Sequence, residues 1–517
     1  MDARRVATWA GTIALVGVLA LYAAAGVVVD RALVEERLSR ALPGNLEEAS
    51  VHVGSVRPLP LRLGVSVRSL RIDVGATPTD PRSRPPRRRG WTLVVPRVDI
   101  TGIGLSTLAG GETIRLGRVR ITDATLDLSA LFPASFPAGV ANGVDLDLRD
   151  LSLEAGGVRE VGTLLPFLSR ISVPSYRARS PDGRTHFRLQ GLEADLRTGG
   201  ARLEEMGLVH TEPAVPPRLL PRPGRTLRDT TSVTLAGLVA DGLFVGTEGG
   251  GGSLGARSLA IDSFRVHVVD GVVPDTSTDR GLPVTPVQRL REFGGPSGRV
   301  DSVRFDHGRV RFTVRRVGYR GSGAVLFDRI EGTIRPLPYG SPSAPAGDSS
   351  GRAEEARGPV RVAVRGRLAG SASAWLEMTF PDRREGLRFD ASGAVAALDL
   401  TELNSIFRPT EGIHIRSGRL ASLRFRLRVR DGRAEGRLVP VYDDLGISLE
   451  DPRRGGTGLD EHFETFVLGL RLNARNQPGD ADDFRVGSID VAASPGQTFP
   501  SFLWQALLGG LRDAAGV

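Results

Sequence analysis

Apolar and polar residues alternate with a period of two through most of the chain, and this constrains the fold more than any other feature. Val65, Val67, Leu70, Ile72 and Val74 alternate with Ser, Arg and Asp. The same rhythm recurs over 93–100, 114–128, 144–153, 187–196, 259–269, 300–314, 325–334, 360–368, 387–395 and 420–429. A strand turns successive side chains to opposite faces, so these segments build sheet with one apolar and one polar face. Few helical runs separate them, which argues for antiparallel pairing rather than βαβ units. The expected fold is mainly β: elongated, antiparallel, loosely repetitive amphipathic sheet, with an N-terminal transmembrane helix and a C-terminal amphipathic helix.

One local pattern recurs within the alternation. It reads Val119-x-Ile121-x-Asp123-Ala124-x-Leu126-x-Leu128, then Val303-x-Phe305-x-His307-Gly308-x-Val310-x-Phe312, then Ile413-x-Ile415-x-Ser417-Gly418-x-Leu420. Each copy has two apolar positions, a small or polar pair, and apolar positions of shifted parity. A one-residue slip sends every side chain to the other face unless the chain turns or bulges there. Each unit therefore reads as a tight hairpin or a bulged strand. The spacing between copies is irregular, so this is no fixed-period solenoid.

The two ends break the alternation. Residues 6–29 (VATWAGTIALVGVLALYAAAGVVV) carry no charge and are flanked by Arg4, Arg5, Asp30 and Arg31. As a helix they rise about 36 Å, enough to span a hydrocarbon core of about 30 Å with some tilt. Arg4 and Arg5 put the N-terminus in the cytoplasm and the body across the membrane. The rival is a cleaved signal peptide using Ala23, Ala24 and Ala25, although its h-region would be unusually long. Near the other end, Phe499, Phe502, Leu503, Ala506, Leu507, Gly510 and Leu511 form one helical apolar stripe, with Trp504 beside it. That helix either caps the sheet or meets a membrane or partner through Phe499, Phe502, Leu503, Trp504 and Leu507.

Pro-, Gly- and Arg-rich stretches suggest the layout. A cytoplasmic tail (1–5), the anchor (6–29) and a juxtamembrane helix (30–49) precede a first β-rich region (50–210). A linker (211–230) leads to a second β-rich region (231–339). A disordered linker (340–358) leads to a C-terminal β-rich region (359–493) and the amphipathic helix (494–517). Residues 287–293 read as a helical turn, 459–466 as a short helix and 466–473 as a strand.

Composition removes several chemistries. The 517 residues include no cysteine, so there is no disulfide framework, thiolate site or cysteine nucleophile. All 68 basic residues are arginine, which excludes a Schiff-base or P-loop lysine. The net charge of +9 is spread among 59 acidic residues with no recognition helix or aromatic platform, which argues against nucleic acid. A mildly cationic surface suits anionic lipid headgroups better.

Motif matches fail on context. Gly347-Asp348-Ser349-Ser350-Gly351 fits a nucleophile elbow but lies in a Pro/Gly/Ser linker. Gly250, Gly252 and Gly255 fit a dinucleotide fingerprint, but 257–269 alternates like a strand. His52, His186, His210, His267, His307, His414 and His462 are scattered without metal-ligand spacing. No catalytic, cofactor-binding or metal residue is assigned, and no enzyme activity is expected.

Two C-terminal stretches carry a resemblance. Gly432-Arg433-Ala434-Glu435-Gly436-Arg437-Leu438 followed by Tyr442-Asp443-Asp444-Leu445 resembles a G-x-x-x-G-x-L … Y-x-D-L strand pair. Asn473 to Pro478 followed by Phe499, Phe502, Trp504, Leu507 and Gly510 is similar to an N-x-x-N-x-P … F-x-x-x-x-W-x-x-L-x-x-G closing segment. Both occur in the AsmA-like family of membrane-anchored periplasmic β-rich proteins related to AsmA and TamB. The resemblance implies a single-pass inner-membrane protein with a periplasmic body and a role in outer-membrane biogenesis. It further implies handling of phospholipid along an apolar β-groove, with other envelope proteins as partners. Roughly 20–25 strands at ~4.8 Å give roughly 100–120 Å, which favours an accessory role over a full bridge. Val65, Val67, Leu70, Ile72 and Val74 are the expected lipid-facing residues. The rival expectation is an envelope scaffold of closed β-sandwiches.

Overall fold

A computed structural model describes residues 49–59, 62, 64–74, 91–103, 113–127, 138–154, 167–180, 182–211, 230–246, 253–272, 282–292, 298–316, 321–339, 358–381, 386–450, 474–479, 484–495 and 497–516. The expected anchor, the juxtamembrane helix up to residue 48 and the segment 459–473 lie outside these. So do Gly347–Gly351 and His462. No helix among the described residues is long and apolar enough to cross a membrane.

The first strands are β1 (Ala49–Leu59), β2 (Gly64–Val74), β3 (Trp91–Ile103), β4 (Thr113–Asp127), β5 (Ala138–Glu154), β6 (Leu168–Arg179) and β7 (Thr185–Asp195). β8 (Gly200–Thr211), β9 (Thr230–Asp241), β10 (Phe244–Gly246) and β11 (Ser253–Val272) precede helix α1 (Pro286–Glu292). β12 (Gly298–Arg316), β13 (Ser322–Arg335), β14 (Leu337–Tyr339), β15 (Val360–Leu368), β16 (Ala372–Phe380), β17 (Phe389–Val395) and β18 (Leu398–Asp399) follow. A 3-10 turn (Leu400–Leu403) leads into α2 (Asn404–Glu411), then β19 (Ile413–Arg430), β20 (Arg433–Leu449), β21 (Gly487–Ala492) and α3 (Phe499–Ala515).

All 21 strands belong to one sheet. The short strands β10, β14 and β18 pair along β11, β12 and β19. The remaining eighteen form a single ladder in sequence order, about 80 Å long at ~4.8 Å per strand, below the length expected from the sequence. The ladder crosses both expected linkers. β8 pairs with β9 across 212–229, and β13 pairs with β15 across 340–357. The three β-rich regions are therefore stretches of one sheet.

Among the described strands, pairing is antiparallel except once. β11 and β12 run parallel, Leu254 opposite Gly298 through Val272 opposite Arg316. This corrects the expectation of a wholly antiparallel sheet. A parallel pair needs a crossover long enough to carry the chain back to its starting end. Residues 273–297 supply it, and α1 lies within them, in the stretch that reads as a helical turn.

β19 illustrates how the sequence forms its strand. Leu423, Phe425, Leu427 and Val429 alternate with Arg424, Arg426, Arg428 and Arg430, and Leu427 and Val429 are buried while all four arginines are exposed. The parity shifts are bulges, not hairpins. Apart from Leu128, which lies outside the described residues, each copy of the repeat lies within one strand, and the shift falls at a residue of positive φ: Asp123 (57°) in β4, His307 (49°) in β12 and Gly418 (145°) in β19. Asp and His tolerate the left-handed region better than most residues. The backbone N–H of Asp123 also donates to Asp145 Oδ1 at 2.8 Å.

The bulges line up. Gly54 faces Ser69 and Ser69 faces Pro96 as positions skipped by the ladder. Pro174, Gly191, Glu204, Gly237 and Asp262 continue the line from β6 to β11. Register shifts carry it through β4–β5 and β12–β13. Ser69, Asp123, Gly143, Gly191, Gly237, His307 and Arg329 along it all have positive φ. Left-handed residues and bulges bend their strands, so their alignment creases the sheet along one line.

Candidate functional site: an apolar trough

Because directly opposed residues share a face, register partners can be followed from strand to strand. One file runs Val56, Val67, Val98, Ile121, Leu146, Ile171, Ala194, Ala201, Ala240, Leu259, Val303, Ile334, Val362, Met378, Ala391, Leu427, Gly436, Ile489. It takes one residue from each of the eighteen ladder strands, and none is polar. Beyond the crease a second file runs Ala141, Tyr176, Leu189, Met206, Leu235, Phe264, Gly308, Ile330. The crease keeps the two together. Leu235 and Leu238 in β9 are three apart and would face opposite ways in a regular strand. Gly237, left-handed at φ 63°, lies between them.

The files differ in exposure along their length. In β2 to β5 the residues flanking the crease are buried: Val67, Leu70, Val95, Val98, Ile121, Ala124, Ala141 and Val144 are each at most 8 % exposed. From β7 to β11 the face opens in part: Leu189, Met206, Leu235 and Phe264 are half-buried, while Val173 and Tyr176 of β6 and Leu238 of β9 stay buried. From β12 onward helices close the face, with α2 packed on β12, β13 and β19 and α3 on β20 and β21.

The expected lipid-facing residues divide accordingly. Val65, Val67 and Leu70 lie on the apolar face, 0, 4 and 1 % exposed, packed among the chain's own side chains. Ile72 and Val74 lie on β2 opposite Leu93 and Trp91; their side chains fall outside the described residues. The accessible stretch is carried instead by Leu189, Met206, Leu235 and Phe264. Alternation marks these as strand residues, but exposure along the trough is not a sequence property.

The C-terminal stripe faces the sheet. Phe502 and Ala506 are fully buried, and Phe499, Leu503 and Leu507 pack against the same cluster as Phe380, Phe389 and Leu438. Phe389 and Phe499 lie 5.2 Å apart between ring centroids. Trp504, off the stripe, packs on Phe407 of α2 at 5.7 Å. The helix starts at Thr498, whose side chain accepts from Ser501 N, and stops at left-handed Gly516. A surface contact through Phe502 is therefore corrected to a core role: the side chain has no exposed area to offer.

The residues behind the family resemblance have structural tasks. Asn476 is 1 % exposed; its amide donates to the Pro440 and Arg485 carbonyls and accepts from Arg485 N. It thereby ties the 474–479 segment to β20. Gly487 lets α3 approach: a Cβ there would lie 1.9 Å from Gly510 O. Tyr442 is buried, and burial raises its phenol above the ordinary value.

The opposite face is polar and ion-paired across strands. Arg118 donates to both oxygens of Asp147, with Arg149 Nη2 3.6 Å away, and Arg170 pairs with Asp195 at 3.2 Å. Burial would raise the Asp147 carboxyl, but the Arg118 guanidinium, helped by Arg149, holds it below the usual carboxylate range. Arg433 and Asp490 form a two-pronged pair at the last strands. A cleft of about 490 Å³ on β12, β13 and β15 is lined by Arg299, Asp301, Thr333, Arg335, Pro336, Pro359, Arg361 and Ala363.

Among the described residues no group of three His, Asp or Glu side chains could hold a metal ion. His307 lies within strand β12 at the crease, with its Nδ1 3.2 Å from the Asp262 carbonyl. Gly255, last of the fingerprint glycines, sits inside β11 rather than at a helix start. Comparison with family models and with curated proteins returned no match.

Proposed function

We propose that the chain is a membrane-anchored, AsmA-like envelope protein that shelters phospholipid acyl chains in its apolar trough, with residues 6–29 as the anchor and the body in the periplasm. The uninterrupted apolar file across the ladder carries this reading. An acyl chain laid along half-buried Leu189, Met206, Leu235 and Phe264 leaves water on its free side, at about 0.8 kcal/mol per buried CH₂. Loading takes place at β7 to β11, where the second file is half-open, rather than at β2, where the face is filled. The ion-paired outer face keeps the same sheet soluble, and the buried helix α3 closes one end.

Mass spectrometry of lipid co-purified with full-length protein, against an unrelated anchored control, tests the reading. Phospholipid should be enriched with wild type and depleted several-fold by the pair Leu189→Asp and Leu235→Asp. Equal lipid on wild type and control would sink it, as would equal lipid on the variant. The rival scaffold reading draws on the closed end under α2 and α3. It predicts no bound lipid and a discrete crosslinked protein partner.

A further inference from the structure

We propose that the polar face around Trp375 docks onto an anionic lipid surface. Trp375 is 42 % exposed in the middle of β16, on the face opposite the trough. Its file runs Arg365, Trp375, Ala394, Arg424, and the next file along the strands runs Ala363, Glu377, Ser392, Arg426, Arg437. The four arginines are exposed and make no ion pair among the described residues.

Arginines elsewhere on this face are matched only in part, since Arg265 opposite Arg309 and Arg335 opposite Arg361 also form no ion pair among the described residues; the exposed indole is what sets this stretch apart. Arg118, Arg170 and Arg433 each meet an acid on the neighbouring strand, and Arg428 and Arg430 share Asp390. Around Trp375, Arg426 is directly opposite Arg437, a like-charge pair that destabilises a sheet left to itself. Glu377, Glu331 opposite Arg365, and Glu435 two residues from Arg437 are the nearby acids; none forms an ion pair with these arginines, and Glu435 meets Arg433 instead. The patch is therefore cationic beyond its own needs, with an indole at its centre.

A flat arginine surface with a central tryptophan matches a bilayer interface. Indole favours the headgroup level, and basic side chains are drawn to anionic leaflets. Duplex DNA fits poorly, because a flat sheet face inserts nothing into a groove. Single strands fit poorly, because one aromatic does not make a stacking track. The proposal concerns the face opposite the trough and stands whether or not the trough holds lipid.

Full-length protein held by its anchor in neutral phosphatidylcholine nanodiscs, mixed with acceptor vesicles and floated, provides the test. Vesicles containing phosphatidylglycerol should capture the nanodiscs, and pure phosphatidylcholine vesicles should not. Each arginine replaced by serine should weaken capture about five-fold, from about 1 kcal/mol per basic residue near an anionic surface. Arg365→Ser with Arg424→Ser should therefore lose about 25-fold, while the matching lysine pair retains capture. Brominated phosphatidylglycerol should quench wild-type emission more than that of Trp375→Phe. Equal capture on both vesicle types overturns the proposal, as does unchanged capture by the serine pair. Arginine-dependent binding of an acidic protein or DNA without vesicle capture overturns it too. Should the serine pair fail to fold, salt dependence and the lysine pair still decide.

Discussion

Gly237 offers the sharpest test of the crease. It sits in β9 with φ 63°, and a Cβ placed there would lie 2.7 Å from Asp262 Cβ on β11. Gly237→Val meets two costs. A left-handed backbone costs a residue with a side chain roughly 1–2 kcal/mol. Forcing the Asp262 contact apart costs about 1 kcal/mol or more, as overpacking generally does. Together they come to about 2–3 kcal/mol. Gly200, at the start of β8, is the control: its φ is ordinary and its nearest neighbour, Thr198 Oγ1, lies 3.8 Å away. Gly200→Ala should be neutral or gain about 0.5 kcal/mol through the unfolded chain. Because so long a sheet need not unfold in one step, the assay is native-state hydrogen exchange read by mass spectrometry on β8, β9 and β11. A loss of about 2 kcal/mol accelerates exchange there about 30-fold. Gly200→Ala should leave the rate within about two- to three-fold of wild type. If Gly237→Val exchanges as slowly as wild type, β9 does not depend on a left-handed residue. The account of how Leu235 and Leu238 reach one face then fails.

Other perturbations separate core from surface. Phe502→Ala should cost about 3–5 kcal/mol, the usual range for emptying a buried aromatic site, and should speed exchange in α3 and β21 before β1 to β5. Gly487→Ala should push α3 off β21 and shift Trp504 emission to the red as its packing on Phe407 loosens. Asp147, held low in the fold, contributes stability above the ordinary carboxylate value of about 3.9 and loses it as pH falls through the depressed one. Denaturant midpoints of wild type and Asp147→Asn should therefore converge in acid. The His267 imidazole is lowered by burial and by Arg311 and Arg315, so protonation favours the unfolded chain and stability declines as pH drops below about 6.5. An NMR titration should place His267 below that value, and His267→Gln should flatten this part of the pH profile.

The sequence by itself determined the two-faced sheet. Val, Leu and Ile alternating with Arg, Asp and Ser leave a strand one arrangement that hides the apolar set, so β2, β4, β12 and β19 are legible from composition and period. The parity shift at Asp123, His307 and Gly418 was legible as well, because three-residue spacing between apolar positions has no solution in a regular strand. The α3 stripe was equally plain, although whether it met the sheet or a membrane was open. Tertiary structure decided the rest, since each remaining feature depends on what lies beside a residue in space. It aligned the local bulges into one crease, because register is a relation between strands. It turned β12 parallel to β11, because a crossover's return direction is set by where its ends pack. It buried Val65, Val67 and Leu70 and left Leu189, Met206, Leu235 and Phe264 half-open, although all seven look alike in a list of alternating residues. Exposure depends on how the folded sheet and its helices cover a face, and no single strand carries that information.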